Sequence, residues 1–474
     1  MKTIMPLIVG TCVAVLGTAR AGEGGESAPR GSITLKEAIT KALTYDPTVR
    51  KIFADVIQAD GFAKEMRADM RPQVFLEASA GGERRDRSSD GLAASDEWLF
   101  SRSASLVARQ LIWSKGYFSN RYKDAQQRRE ASLMLEKEQR ELTAYAVTGV
   151  FLDIIHARRQ IVYAENNVSE HSRVLGLAKE RAEAAGTQAD VDLSDARYNL
   201  ALNLVRERRL ALKQAEAKYV RLVGEQVPNS LAMPRVPTVK SFDSLDFHQN
   251  WHYLATLHQS SAAALQKEAL KGKYAPRFYL EGRGTVGQDV DGIKGRDNSA
   301  SAMIVMSWDL FDGGRRKAEI QQASADIERQ EAITQEVLDT LRQDAAAHWA
   351  DYTSAGYRLD LLRKYSKSLK GTVGLYREQF DLGTRPLLSM LDIQNEVTSA
   401  NIRIADEERD QAKLGYSLLY FTSGLITYAA GAEQIATPRE PDGSTPVPGR
   451  PMGDRVPEPV ELAHARSLGQ RPSK

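Results

Sequence analysis

The sequence predicts a mixed fold in which four β-strands per chain share a closed membrane barrel with other copies and continue into very long α-helices. The whole plan is written twice. Three observations carry this. The stretch GTRPLLSMLD at 383–392 answers GTQADVDLSD at 186–195, with Gly, Thr and the closing Asp in the same places. Residues 116–185 and 313–382 contain no proline, so each can run as one helix. Four stretches near 73–88, 99–113, 276–290 and 299–312 carry strand character, two per half.

The first element is a targeting segment over 1–21. Lys2 supplies a positive start, residues 4–16 are mostly apolar, and Ala19-Arg20-Ala21 offers a small-x-small cleavage site. Its apolar run is too short to span a bilayer. Cys12, the only cysteine, falls inside it in a poor lipidation context, so the mature chain is expected to have no thiol, disulfide or Cys-based metal site. The net charge of +2, with 27% charged residues, offers no basic field for nucleic acid.

The first repeat spans 22–224 and the second 242–425, with 225–241 as a Pro-containing linker. Pro72 opens PQVFLEASAGG, and Pro276 opens PRFYLEGRGTV. In the second pair, Phe278, Leu280, Gly282, Gly284 and Val286 oppose Arg277, Glu281, Arg283 and Thr285. Likewise Ala302, Ile304, Met306, Trp308 and Leu310 oppose Ser301, Ser307 and Asp309. This period of two gives one apolar and one polar face. The first pair alternates less cleanly, with Phe75 on the polar side. Trp113 and Trp308 close the second strand of each pair and suit an interfacial aromatic belt.

Long helices follow each pair, over 115–185 and 187–224, then 313–382 and 384–424. A helix of about 70 residues is a rod of roughly 100 Å. In the second helix of the first half, Leu193, Leu200, Leu204, Ala211, Ala215 and Leu222 form a narrow seam suited to knobs-into-holes packing. The tail, 426–474, is Pro-rich and carries no helical pattern.

Four strands cannot close a barrel, because the smallest membrane barrels need about eight. An open sheet in lipid would leave edge N–H and C=O groups unpaired. Identical chains must therefore share one barrel. Two copies would fill its interior with side chains, and three would leave a lumen.

Two patterns mimic chemistry. Gly282-x-Gly284-x-x-Gly287 matches a dinucleotide fingerprint, but strand alternation runs through it where a helix should open. These glycines are read as suiting a crowded barrel wall. His248, His252 and His258 lie close together, but the sequence offers no third ligand in a known zinc spacing. No catalytic arrangement and no cofactor motif is legible.

The doubled strand-strand-helix plan resembles the TolC-like outer-membrane channels (outer membrane factors) over about residues 33–425. The features that carry the resemblance are ITLKEAITKALTYDPTVR, both Pro-led strand pairs, DLFDGGRRKAEIQQA and the two Gly-Thr turns. It implies a homotrimer in the outer membrane of a Gram-negative cell. Twelve strands would form one barrel, and twelve helices a tunnel through the periplasm. Gly186-Thr187 and Gly383-Thr384 would be the turns at the tunnel's tip. A periplasmic adaptor and an inner-membrane transporter would dock there.

The resemblance also implies a gate. The constriction arginine falls on Arg385 and its acidic partner on Asp192. Phe380 stands where the best-known member carries an aromatic hydroxyl, so a hydrogen bond from there to Asp192 is not carried over. Asp392 matches one ring aspartate and Ser389 stands at the other, which implies an acidic ring of one layer. Residues 165–225 look like the branch serving type I secretion, which pairs with an ABC transporter to export large repeat-rich toxins or adhesins. Small-molecule efflux is the alternative. A periplasmic coiled-coil adaptor would fit the helices but leaves the four strands unexplained.

Overall fold

The computed structural model describes residues 32–85, 97–184 and 188–431. The targeting segment, most of the first hairpin loop, the turn at Gly186-Thr187 and the tail beyond 431 lie outside these.

Helix α1 (Leu35–Tyr45) opens on a reciprocal cap: Thr34 Oγ1 accepts the Glu37 N–H at 3.3 Å, and the Glu37 carboxylate accepts the Thr34 N–H at 2.9 Å. Helix α2 (Pro47–Ala68) starts on a proline, with Asp46 accepting the Thr48 N–H at 2.9 Å. Strands β1 (Gln73–Glu83) and β2 (Leu99–Trp113) follow, then helices α3 (Tyr117–Ala184) and α4 (Gln188–Val223). The second half has two short 3₁₀ turns, α5 (Trp251–Lys273), β3 (Arg277–Gln288), β4 (Arg296–Ser307), α6 (Arg315–Asp381), α7 (Leu387–Phe421) and a one-turn helix α8 (Leu425–Ala429).

Several spans differ from the sequence reading. β1 stops at Glu83, short of 88. β4 starts at Arg296 and ends at Ser307, so Trp308 lies just past the strand rather than closing it, and Leu310 is outside it. α8 occupies the start of the expected tail.

The four strands form one antiparallel sheet in the order β1-β2-β3-β4. Register sorts the faces. Glu77, Ser105, Thr285 and Ser299 share one row, and the Ser105 and Thr285 hydroxyls are 2.8 Å apart. On the same face Arg109 donates to Glu281 Oε2 from Nε (3.0 Å) and Nη2 (2.7 Å), and Arg283 reaches Glu77 at 3.3 Å. Phe75 does lie on this polar face, opposite Val107. The other face exposes Leu76 (69%), Leu280 (48%) and Ile304 (69%), a continuous apolar surface unusual for a water-facing sheet. At its helix end the Trp113 and Phe278 rings sit 5.9 Å apart, after a bulge at Ile112. Gly282 and Gly284 belong to this apolar face, and a Cβ on either would meet nothing within 4 Å. Crowding therefore does not explain them; only Gly287 is tight, where a Cβ would stand 2.7 Å from Val290.

The helices lie side by side in the order α4-α3-α7-α6. At 68 residues, α3 is about 100 Å long. The main core surrounds its middle, where Phe151, Leu152 and Ile154 meet Leu35 and Ile39 of α1, Tyr219 of α4, Tyr416 and Leu419 of α7, and Leu425 of α8. Each such side chain contributes about 1.5–3 kcal/mol through burial. The linker is strapped down across this core: Tyr416 Oη donates to the Arg235 carbonyl at 2.7 Å, and Arg158 donates to the carbonyls of Pro228 and Asn229.

The seam on α4 is displaced from the sequence reading. The buried line runs through Ser194, Ala201, Val205, Ala215, Tyr219 and Leu222, whereas Leu200 is 57% exposed. A helix in a closed wall has neighbours on two sides and needs two seams. The α3 contact uses one, and the Leu200 line is left for the other. On α6, at the opposite edge, Tyr357 (77%), Leu361 (65%) and Leu375 (60%) are likewise uncovered. Among the described residues, both lateral edges of the helical layer and both edge strands, β1 and β4, are without partners.

Candidate functional site

The α6–α7 turn is built by its sequence. Gly383 adopts φ 76°, a left-handed conformation that costs a side-chain-bearing residue about 1–2 kcal/mol. Its N–H donates to the Phe380 carbonyl (3.0 Å), and the Thr384 N–H donates to the Gln379 carbonyl (2.9 Å). This pair of bonds caps the end of α6. The Thr384 hydroxyl donates to the same Gln379 carbonyl at 2.9 Å, and Pro386 is the N-cap residue of α7. Gly383→Ala is expected to loosen the turn by about 1 kcal/mol, seen as roughly fivefold faster amide exchange across 380–388.

Arg385 folds back onto its own hairpin. Its Nε and Nη2 donate to Gln379 Oε1 at 3.0 and 2.8 Å, and its guanidinium carbon lies 3.8 Å from the Tyr376 ring centre. Asp192, exposed near the start of α4, accepts from Gln188 Nε2 at 2.9 Å. Asp392 accepts from Arg197 Nη2 of α4 at 3.1 Å and remains half exposed. Ser389 sits partly exposed in the first turn of α7, its N–H on the Pro386 carbonyl. Phe380 is buried among Val174 and Ala178 of α3 and Leu387 and Leu391 of α7. The Arg181 guanidinium covers its ring at 3.9 Å.

One chain thus brings Asp392 to Arg197 and Arg385 to Tyr376, but does not bring Arg385 to Asp192. Phe380 anchors the hairpin against α3. Gly186 and Thr187 lie outside the described residues. Sequence reasoning did not identify Tyr376, Gln379, Arg181 or Arg197. A usable signal was the repeat itself, which sets Gln188 against Arg385 and Asp192 against Ser389.

Above the turn the α3–α7 seam becomes polar. Thr398 donates to Asn167 at 3.0 Å, His171 Nε2 lies 2.9 Å from Asn395, and Gln160 donates to Asp406 at 2.8 Å. Burial lowers the His171 pKa. The other histidine cluster is dispersed into local contacts, His252 with Glu138 at 2.9 Å and His258 with Gln127 at 2.7 Å. Among the described residues no helix is long and apolar enough to cross a membrane.

An apolar sheet face with two unpaired edges, continuous with a wall of long helices, defines a class: the protomers of trimeric outer-membrane channels, each giving four strands to a shared barrel. The sequence model of the outer membrane efflux protein family matches residues 38–225 and 254–415, and the chain belongs to that family. It is a channel protein of the outer membrane, not an enzyme. It is 22% identical to the outer membrane efflux protein BepC of Brucella suis over 95% of this chain and 97% of that one. It is 25% identical to the protein CyaE of Bordetella pertussis over 84% and 90%. Among solved structures, the outer membrane protein VceC of Vibrio cholerae superposes with a TM-score of 0.73 at 15% identity, covering 82% of this chain and 96% of that one. The Campylobacter jejuni channel CmeC gives 0.72 at 12% identity, covering 82% and 86%.

Proposed function

We propose that the trimer is the outer-membrane duct of a type I secretion system. An inner-membrane ABC transporter and a periplasmic adaptor would deliver one large RTX-like toxin or adhesin to it. The observation that carries this reading is the stretch 165–225, which is similar to the type I branch of the family. In it the exposed residues of α4 include Arg206, Glu207, Arg209, Lys213 and Lys218, a charged and hydrated stretch. A second reading, extrusion of small molecules, is favoured by the BepC match and by a 23% match over 253 residues to the solvent efflux pump protein SrpC of Pseudomonas putida. Deleting the gene separates them. Loss of one large protein from the medium with unchanged drug and solvent tolerance supports export. Lost tolerance with an intact set of secreted proteins assigns the channel to small molecules.

The gate is proposed to lie between copies. α4 and α6 are the open edges of the helical layer, so α4 of one copy would meet α6 of the next around the ring. Asp192 near the start of α4 and Arg385 just past the end of α6 would then face each other across each junction, and Asp392 would line the entrance. Rings of carboxylates select cations. Asp392→Asn is expected to lower the cation-to-anion permeability ratio roughly twofold, read as a shift of reversal potential in a KCl gradient. An unchanged reversal potential would remove Asp392 from the pore lining.

A further inference from the structure

On the apolar face of the sheet, the last row before the hairpin loops is not apolar. Register sets Arg102 of β2, Gln288 of β3 and Arg296 of β4 side by side. All three lie on the face that carries Leu106, Leu280 and Ile304, since they are separated from these by even numbers of residues along each strand. Asn298 lies next to Arg296 on the same face. In lipid that face points outward.

The height of this row is set by the fold. Both long helical connections leave one end of the sheet and both hairpin loops leave the other, so the row lies at the extracellular rim. From Phe278, beside Trp113, to Gln288 the strand climbs about 34 Å along its axis. A tilt of about 40° makes that roughly 25 Å of height, the thickness of the apolar band of such barrels. The two arginines therefore stand at the outer water-lipid boundary. There a long side chain can keep its stem in lipid and its charge among headgroups. Trp98 (71% exposed) and Phe100 (65%) lie just beyond Arg102, where interfacial aromatics belong.

Neither guanidinium is neutralised by the protein among the described residues. Among the described residues, the acids nearest in β3, β4 and their hairpin are engaged or turned away. Asp289 accepts the Gly295 N–H at 2.7 Å within its own loop, Asp291 pairs with Arg85 at 2.8 Å, and Asp297 is on the polar face. With neighbouring strands about 4.8 Å apart, the two Arg Cα atoms are about 10 Å apart, and both arms can converge on one anion. Between them is a groove of about 440 Å³ whose floor includes Ala104 and Val286. Below it, the outward positions of β3 and β4 shrink to Gly284, Gly282, Ala300 and Ala302, leaving a smooth furrow toward Leu280 and Ile304.

We propose that Arg102, Gln288, Arg296 and Asn298 form a binding site for the phosphorylated headgroup of an outer-leaflet lipid of the lipopolysaccharide type. Guanidinium groups bind phosphate through paired, charge-assisted hydrogen bonds; the Asn298 amide supplies further donors, and the Gln288 amide, which donates one hydrogen to Asp289 Oδ1 at 3.4 Å, has a second to offer. One acyl chain lies along the furrow. The outwardly unneeded glycines of β3 thereby acquire a use.

The test uses the full-length trimer, purified in detergent and exposed to lipid A carrying its phosphates or to the same lipid A after enzymatic dephosphorylation. Bound lipid is counted by native mass spectrometry. The wild type is expected to retain the phosphorylated lipid at least fivefold better than the dephosphorylated one. The Arg102→Gln/Arg296→Gln variant is expected to lose that preference while remaining trimeric. Equal retention of the two lipids by the wild type would overturn the site without reliance on any variant, and so would an unchanged preference in the double variant. Millimolar inorganic phosphate, the other source of the same chemistry, is expected to leave the lipid bound. Its displacing the lipid would overturn the lipid assignment in favour of a small-anion site.

Discussion

Arg385→Glu is expected to shift the channel toward its open state. The side chain now makes two hydrogen bonds to Gln379 and covers Tyr376 at 3.8 Å, so it is held in place at the turn. Reversal removes these contacts and, in the proposed gate, would bring a carboxylate toward Asp192 and Asp392 at each junction. An exposed ion pair is worth at most about 1 kcal/mol, but the threefold ring repeats it, so the closed state loses up to about 3 kcal/mol, on the order of 100-fold in the open-to-closed ratio. Arg385→Gln, which loses charge without adding repulsion, should fall between. Single-channel recording in planar bilayers reads both conductance and open probability. If neither changes in Arg385→Glu, the closure lies elsewhere along the tunnel.

The second large effect concerns two titratable groups buried on α3, with opposite pH dependence. Glu141 is 4% exposed and accepts the Ile426 N–H at 3.2 Å, tying α3 to the first turn of α8. Burial pushes its carboxyl up to about 7, against backbone hydrogen bonds from Ile426 and Leu425 that act the other way. A raised carboxyl is easiest to keep folded when protonated. Its contribution is therefore present below 4.5 and is lost as pH rises through 7, by up to about 3 kcal/mol. Glu141→Gln keeps an acceptor oxygen without the charge, so the variant should resist heat better than wild type at pH 8 and equally at pH 4.5.

His156 is fully buried, with Asp153 and Arg159 of its own helix and Glu408 and Arg409 of α7 around it. Burial, aided by the two arginines, lowers its pKa to about 4. Its contribution is present above 6.5 and is lost as pH falls toward 4, again by up to about 3 kcal/mol. His156→Leu should gain stability over wild type at pH 4.5 relative to pH 8. The heat-dissociation temperature of the detergent-purified trimer at the two pH values measures both. Equal shifts at both values would assign the effects to packing instead of charge.

The fold was legible because its signals are periodic and long. Two Pro-led strand pairs and two proline-free helical runs survive any local ambiguity, and the unclosable count of strands implies the oligomer. What was illegible depends on contacts between distant segments. Leu200 and Ser194 both sit on plausible seams of α4, and only the position of α3 decides which is inside. β4 ends at Ser307 although alternation continues through Trp308 and Leu310, because pairing with β3 stops at Arg277. At the α6–α7 turn, Phe380 was matched by resemblance to a gate position, and nothing local says that Val174, Ala178 and Arg181 on another helix cover it. Arg385 was found by resemblance, but Tyr376, which holds it, was not, since nothing in a spacing of nine residues says that an arginine beyond a turn will fold back over a ring.

The two unpaired edge strands have a genetic consequence. β1 and β4 must each be completed by another copy, so no chain contributes to a barrel on its own merits, and one faulty edge spoils the work of two sound neighbours. A proline in the middle of β4, for example at Ile304, would remove a donor from the sheet and break the join. If such a chain is made alongside an equal amount of normal chain and is still incorporated at random, only about one trimer in eight contains none of it. The allele would then be dominant, and the intact trimers would fall with the cube of the normal chain's share rather than in proportion to it.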